Sequence, residues 1–323
     1  MEVVKRLRDR LTESATEVDA EQIRLLRRGN PNMRPISVQP PAHGTVPTTI
    51  RRVLQTVYQR RTGLLGIGNR SRPVVFEIRR ATPDTVTLQF CVETAREERT
   101  LRTQLAAAID GIEFGEGVTG LPIAEGQLLG GGLLVPKQAA WNPLRAEFES
   151  PPTDAVLAAL HRHAMQDTSF VIQLLCVPVA GQPLRTRWFR YQARKQATYL
   201  REHSEQLVGR RTSTAQERSR AAAIERKVRQ PLWWVSIRVV VVGTGEYTVP
   251  RLQEVCAGFN VFENPESGQG LQVIPVSPVR STDIVRFGRA VAKQRFRQWS
   301  RRFRVSSREL GALVAVPTSS REL

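Results

Sequence analysis

Arg289, Lys293, Arg297 and Arg301 recur every fourth residue, while Ile284, Phe287, Val291, Phe296, Trp299 and Phe303 mark a different side. At 3.6 residues per turn this spacing predicts one two-faced helix from about Asp283 to Phe303, cationic on one side and docked through the other. The chemistry on offer is phosphate contact, because arginine adds to its fixed charge a planar fork that grips two oxygens at once. The expected nucleic-acid-binding residues are therefore Arg289, Lys293, Arg297 and Arg301, followed by Arg302 and Arg304. A solvated face is the alternative for such a stripe. Against it, Arg280 to Arg308 holds ten basic residues and only Asp283 as an acid, and the self-repulsion of that run favours an anionic partner.

No catalytic constellation accompanies the stripe. His161 and His163 are two apart on a predicted helix, so they point to different sides, and no Cys, Asp or Glu is spaced to complete a metal shell. Val239 to Val242 runs into Gly243-Thr244-Gly245, which lacks the third glycine of a dinucleotide turn and the Gly-Lys-Ser/Thr of a phosphate loop. His43 and His203 stand alone, and no Ser or Cys sits in a nucleophile elbow. Whether the chain belongs to an enzyme stays open, and no cofactor and no metal are expected. Cys91, Cys176 and Cys256 are odd in number and set in apolar stretches, which fits reduced, buried thiols.

The charge of the whole chain is as uneven as the stripe. Of the net +18 over 323 residues, Arg280 to Arg308 supplies +9, and Arg185 to Arg229 supplies the other +9 with 13 basic residues against four glutamates. A local surplus of one sign is the footprint of a surface that meets a polyanion, DNA first and an anionic membrane face second. Arginines make up 43 of the 48 basic residues, although a GC-rich genome alone would favour arginine. In Arg185 to Arg229, acids such as Glu217 beside Arg218 and Arg220 allow internal pairing, so an arm that docks on a partner subunit stands equally open.

The elements that position these residues read as α+β. Residues 1–72 carry an irregular helical pattern and a Pro-rich linker, with a helix expected at Ile50 to Arg61. Residues 73–190 form a first α+β domain: a hairpin through Val74 to Ile78 and Val86 to Val92, a helix over Arg96 to Ala108, a Gly126 to Gly132 loop, a strand at Leu144 to Phe148, a helix from Asp154 and a strand over Phe170 to Val179. Residues 191–230 are an inserted basic helical arm, restarted by the capping box Thr214-Ala215-Gln216-Glu217 and ended by Pro231. Residues 231–279 repeat strand, helix and strand, and residues 280–323 are the basic helix and a linker. Repeated strand-helix-strand units predict ferredoxin-like antiparallel sheets with helices on one face. No apolar run approaches the roughly 18 to 20 residues of a membrane span, and the charged N-terminus is no secretory leader, so a cytoplasmic chain is expected.

Val75-Phe76-Glu77-Ile78, the helix through Leu101 to Ala108, and Phe170 to Pro178 together resemble the N-terminal region of type IV secretion and conjugation ATPases, the HerA/FtsK-like DNA pumps. Ile224-Glu225-Arg226-Lys227 leading into Trp234 to Val239 is similar too, and Ser307 to Pro317 looks like the segment that precedes the motor in that family. The resemblance implies a P-loop motor downstream, and this sequence reaches Leu323 without one. It implies a non-catalytic module that hydrolyses no ATP and touches DNA or neighbouring subunits, either those of a secretion or conjugation machine or copies of itself in a homo-oligomer; a peripheral contact at the inner face of the membrane stays open. The alternative is a stand-alone nucleic-acid-binding protein using the same basic helices.

Overall fold

The apolar run at Trp233 to Val242 is a strand, as its composition predicts, and it lies inside a ten-stranded antiparallel sheet. The computed structural model describes residues 15–41, 47–57, 60–63, 67–82, 85–161, 168–201, 204–206, 209–211, 213–243, 248–276, 281–296 and 301–318. In chain order the elements begin with β1 (Ala15–Glu17), α1 (Ala20–Arg27), β2 (Arg34–Gln39), α2 (Arg51–Val57), β3 (Val74–Thr82), β4 (Thr85–Val92), α3 (Ala95–Ala108) and β5 (Glu113–Glu116). They continue with β6 (Leu128–Pro136), α4 (Thr153–Leu160), β7 (Ser169–Pro178), α5 (Pro183–Arg201), β8 (Ser204–Gln206), β9 (Gly209–Arg211) and α6 (Ala215–Arg229). The last are β10 (Leu232–Gly243), α7 (Thr248–Ala257), β11 (Leu271–Pro275), α8 (Ser281–Ala292), β12 (Phe303–Ser306) and α9 (Ser307–Leu313). The fold is α+β.

The sheet runs β1-β6-β10-β7-β3-β4-β2-β5, with β11 also on β6 and β12 also on β10. β2, α2, β3, β4, α3 and β5 follow one another in sequence, yet their strands lie in the order β5-β2-β4-β3. β6, α4, β7, β10, α7 and β11 reproduce that order as β11-β6-β10-β7, with α5 to α6 inserted between β7 and β10. Each crossover helix thus joins two parallel strands separated by an antiparallel one. The two sets meet where β3 pairs β7, from Val74 opposite Cys176 to Arg80 opposite Phe170. Leu54, Leu101, Leu157 and Leu252 of the four crossover helices share one core, while Leu26 of α1 and Ile284, Phe287 and Val291 of α8 belong to another.

Several sequence expectations are corrected here. The segment before residue 73 is no purely helical extension, since β1 and β2 are sheet strands; residues 1–14 lie outside the described residues. The arm starts at Pro183, not at residue 191, and carries the small β8-β9 hairpin between its helices. Leu144 to Phe148 is not a strand: the Leu144 and Arg145 amides donate to the Glu309 carboxylate and the Phe262 carbonyl instead of to a neighbouring strand. Gly130-Gly131-Gly132 belongs to β6 rather than to a loop. A Cβ on Gly131 would sit 2.3 Å from the Val239 carbonyl oxygen and 2.7 Å from the Phe287 ring, so glycine is what lets α8 close on the sheet. Gly131→Ala is expected to lower the unfolding free energy by about 1 to 3 kcal/mol in urea titration; a loss under about 0.5 kcal/mol would contradict this close approach.

The expected helix from Asp283 to Phe303 is also corrected. It stops at Ala292, and the chain turns at Gln294, whose φ of 51° is in the left-handed region. The Gln294 amide donates to the Val291 carbonyl and the Arg295 amide to the Ala290 carbonyl, a Schellman closure with glutamine where glycine is usual. Side chains of the sheet hold this end in place. Arg238 donates to the carbonyls of Ala290 (3.2 Å) and Arg295 (2.6 Å), and Gln173 donates to that of Val291 (3.0 Å). The Gln294 amide group donates to Glu77 Oε1 at 2.8 Å, and the same buried carboxylate accepts from Arg79, Gln89 and Gln173. A cation placed on a helix C-terminus is favoured by the helix dipole, which helps a guanidinium bear its burial.

Candidate nucleic-acid interface

With α8 ended at Ala292, the expected stripe is divided. Arg289 is exposed on α8, and Lys293 is half-buried with Nζ donating to the Gly29 carbonyl at 2.8 Å. Burial pulls the Lys293 ammonium below its usual pKa, and Arg28, Arg295 and Arg289 add to the effect, so these residues form one basic patch between α8 and the end of α1. Arg297 lies outside the described residues. Arg301 and Arg302 are exposed in the approach to β12, and Arg304 is buried within β12, not on a helix.

What the structure brings together instead are the two basic segments. Pro183 starts α5, where its missing N–H costs nothing. Phe189, Ala193, Ala197 and Leu200 bury one side of α5 against Ala221, Ile224 and Val228 of α6. The Arg201 guanidinium grips both oxygens of Glu225 at 2.6 and 3.0 Å. At the base of α6, Lys227 Nζ meets Glu309 Oε1 at 2.8 Å inside the protein. Thr214 and Glu217 form the capping box that the sequence announces, which gives Glu217 a role at the helix start. This anchored arm brings Arg185 and Trp188 up to the sheet.

Opposite them, β10 pairs β12 with Trp234 facing Arg304 in register. The Arg304 guanidinium lies 4.5 Å from the Trp234 ring centre and 4.4 Å from that of Phe189, and Arg302 lies 5.0 Å over Trp234. Arg304 is 6% exposed, reaches the Arg185 carbonyl only at 3.4 Å, and its Nε has no hydrogen-bond partner among the described residues. Burial brings its pKa down to about 10, with Arg185, Arg190 and Arg302 contributing the same way. The result is a groove of about 590 Å³ between arm and sheet, walled by Trp141, Trp188, Phe189 and Trp234. No acidic side chain is among the described residues that line it.

Such a groove can stabilise an anion, because several guanidinium charges converge with no carboxylate among its described lining residues. It can also stack a flat ring, since its walls are aromatic faces. Sequence reasoning missed Trp141, Trp188 and Trp234. A signal was present in Arg185-Thr186-Arg187-Trp188-Phe189-Arg190-Tyr191, where aromatic and basic residues alternate.

Elsewhere the described residues contain no cluster of three or more His, Cys, Asp or Glu able to hold a metal. Cys91, Cys176 and Cys256 are free and buried, and burial raises the Cys256 thiol to about 12. No helix among the described residues is long and apolar enough to cross a membrane. No curated protein matches the chain. A family model described as a domain of unknown function, DUF8128, matches residues 8–322. That match spans nearly the whole sequence, and the chain therefore belongs to the DUF8128 family.

Proposed function

We propose that this chain is a non-catalytic module that contacts DNA through its arginines, of the kind that precedes the motor in conjugative and type IV secretion DNA-translocating ATPases. The observation that carries the reading is the meeting of two basic segments, far apart in sequence, at one groove that mixes guanidinium groups with aromatic walls. Phosphate contact explains why uncompensated cations are gathered there, because each one neutralised by a phosphate releases condensed counterions. The patch of Arg28, Arg289, Lys293 and Arg295 adds a second surface of the same sign, for DNA or for an acidic face of a neighbouring subunit. We also read each four-strand set as a ferredoxin-like element. The strand orders β5-β2-β4-β3 and β11-β6-β10-β7, each with two crossover helices, support that reading.

The test is a pair of measurements on residues 1–323. DNA affinity should fall linearly with the logarithm of salt concentration, with a slope near −0.9 for each phosphate contacted. Incubation with ATP should release no phosphate, since no Gly-x-x-x-x-Gly-Lys-Ser/Thr occurs in the sequence. Absence of DNA binding at low salt, or ATP turnover abolished by a P-loop inhibitor, would overturn the proposal.

A further inference from the structure

Leu184, Trp188, Tyr191 and Tyr199 are among the most exposed large apolar side chains of the protein, between 55% and 78% exposed, and all four stand on α5. Their spacing of four, three and eight residues keeps them on one side of the helix, opposite the buried stripe of Phe189, Ala193, Ala197 and Leu200. The stripe covers about 22 Å of helix axis. Trp188 and Tyr191 adjoin, with ring centres 5.9 Å apart and planes 33° from each other. Arg187, Arg190, Arg194 and Lys195 are exposed beside them, and Trp188 leads the stripe into the groove.

An apolar stripe left in solvent has an unfavourable hydration cost, and here it is joined to a cationic groove. An acidic polypeptide would satisfy the charge but offers few flat rings. A duplex would satisfy the charge too, but its bases are stacked on one another and their faces are out of reach. An unpaired strand presents both the phosphates and the base faces. We infer that the α5 stripe and the Trp234 groove form a single-strand-specific nucleic-acid site, in which bases stack on Trp188 and Tyr191 while phosphates meet Arg185, Arg190 and Arg302. The inference rests on the DNA-contact reading above and specifies the form of nucleic acid the site takes.

The experiment uses the full chain with an oligothymidylate of about 16 nucleotides and a duplex of equal length at one salt concentration. The single strand should bind about tenfold or more tightly than the duplex, and should quench tryptophan fluorescence. Trp188→Ala should weaken single-strand binding by about tenfold and leave duplex binding unchanged, while Trp188→Phe retains most of the affinity. Trp188 is 63% exposed, so its replacement does not open the core; circular dichroism of the variant should match the parent. Equal binding of both forms, indifferent to Trp188→Ala, would overturn single-strand specificity while leaving the DNA-contact reading in place. Binding of neither form would overturn both. Quenching by polyglutamate that the oligonucleotide fails to reverse would overturn the inference in favour of an acidic polypeptide.

Discussion

Lys227→Met should lower folding stability by about 3 to 5 kcal/mol, the loss expected when one member of a buried ion pair is removed. Lys227 is 3% exposed and Glu309 1%, and both do more than pair with each other. Lys227 also donates to the Asn142 carbonyl at 3.2 Å, while Glu309 accepts the amides of Leu144 (2.7 Å) and Ser306 (2.5 Å). The variant leaves the Glu309 carboxylate buried without its cation. Burial pulls the Lys227 ammonium below its usual pKa although Glu309 pushes the other way, so the pair does not fully offset its own desolvation. The double variant Lys227→Met with Glu309→Gln should therefore be more stable than the single one, since the charge goes and an acceptor oxygen stays. Urea unfolding of the three proteins measures this, and a single-variant loss below about 1 kcal/mol would show that the pair behaves as a surface one. A functional effect should follow. The pair ties the base of α6 to α9, and α6 carries α5, so loosening it lets the arm wall of the groove drift.

Replacing Arg185 and Arg302 with glutamine should weaken DNA binding by about a hundredfold at fixed salt, taking each charged contact as about 1.5 kcal/mol. Both residues are exposed, so the substitutions leave the buried core intact. Arg304 serves the groove differently. With its guanidinium between Phe189 and Trp234 it is part of the packing, and Arg304→Gln would confound binding with stability. Arg289→Gln with Arg295→Gln removes the same charge from the other patch. Its expected effect is smaller, because Arg289 and Arg295 flank Lys293 outside the groove proposed as the contact.

Much of the fold is legible in the sequence because local rules and tertiary packing agree. Alternation in Val74 to Val92 gives the β3-β4 hairpin, Leu101, Leu105 and Ile109 give the buried side of α3, and Thr214 and Pro231 bound α6. The failures have tertiary causes. β2 is hidden by Pro35, whose missing N–H is tolerated near the start of the strand. β6 is hidden by its three glycines, of which Gly131 admits Phe287 on one face and Gly132 admits Leu252 on the other. α8 ends early because Arg238 and Gln173, far away in sequence, cap its last carbonyls. The same limit applies to the site. Local sequence marks Arg302 and Arg304 as anion-facing, but only as residues that follow a helical stripe. That they face Trp234 across a strand pair, and Arg185 across the groove, is fixed by register and by the anchored arm, neither of which local periodicity encodes.

On the proposal made above, the groove where the two basic segments meet is the nucleic-acid contact. Its most direct test is the slope of DNA affinity against salt for the parent, for Arg185→Gln with Arg302→Gln, and for Arg289→Gln with Arg295→Gln. Loss of two phosphate contacts should make the slope of the groove variant shallower by about 1.8 on a duplex or about 1.4 on a single strand, with a smaller change for the α8 variant. An unchanged slope in the groove variant, with the full change in the α8 variant, would contradict the account and move the contact to the patch beside α1.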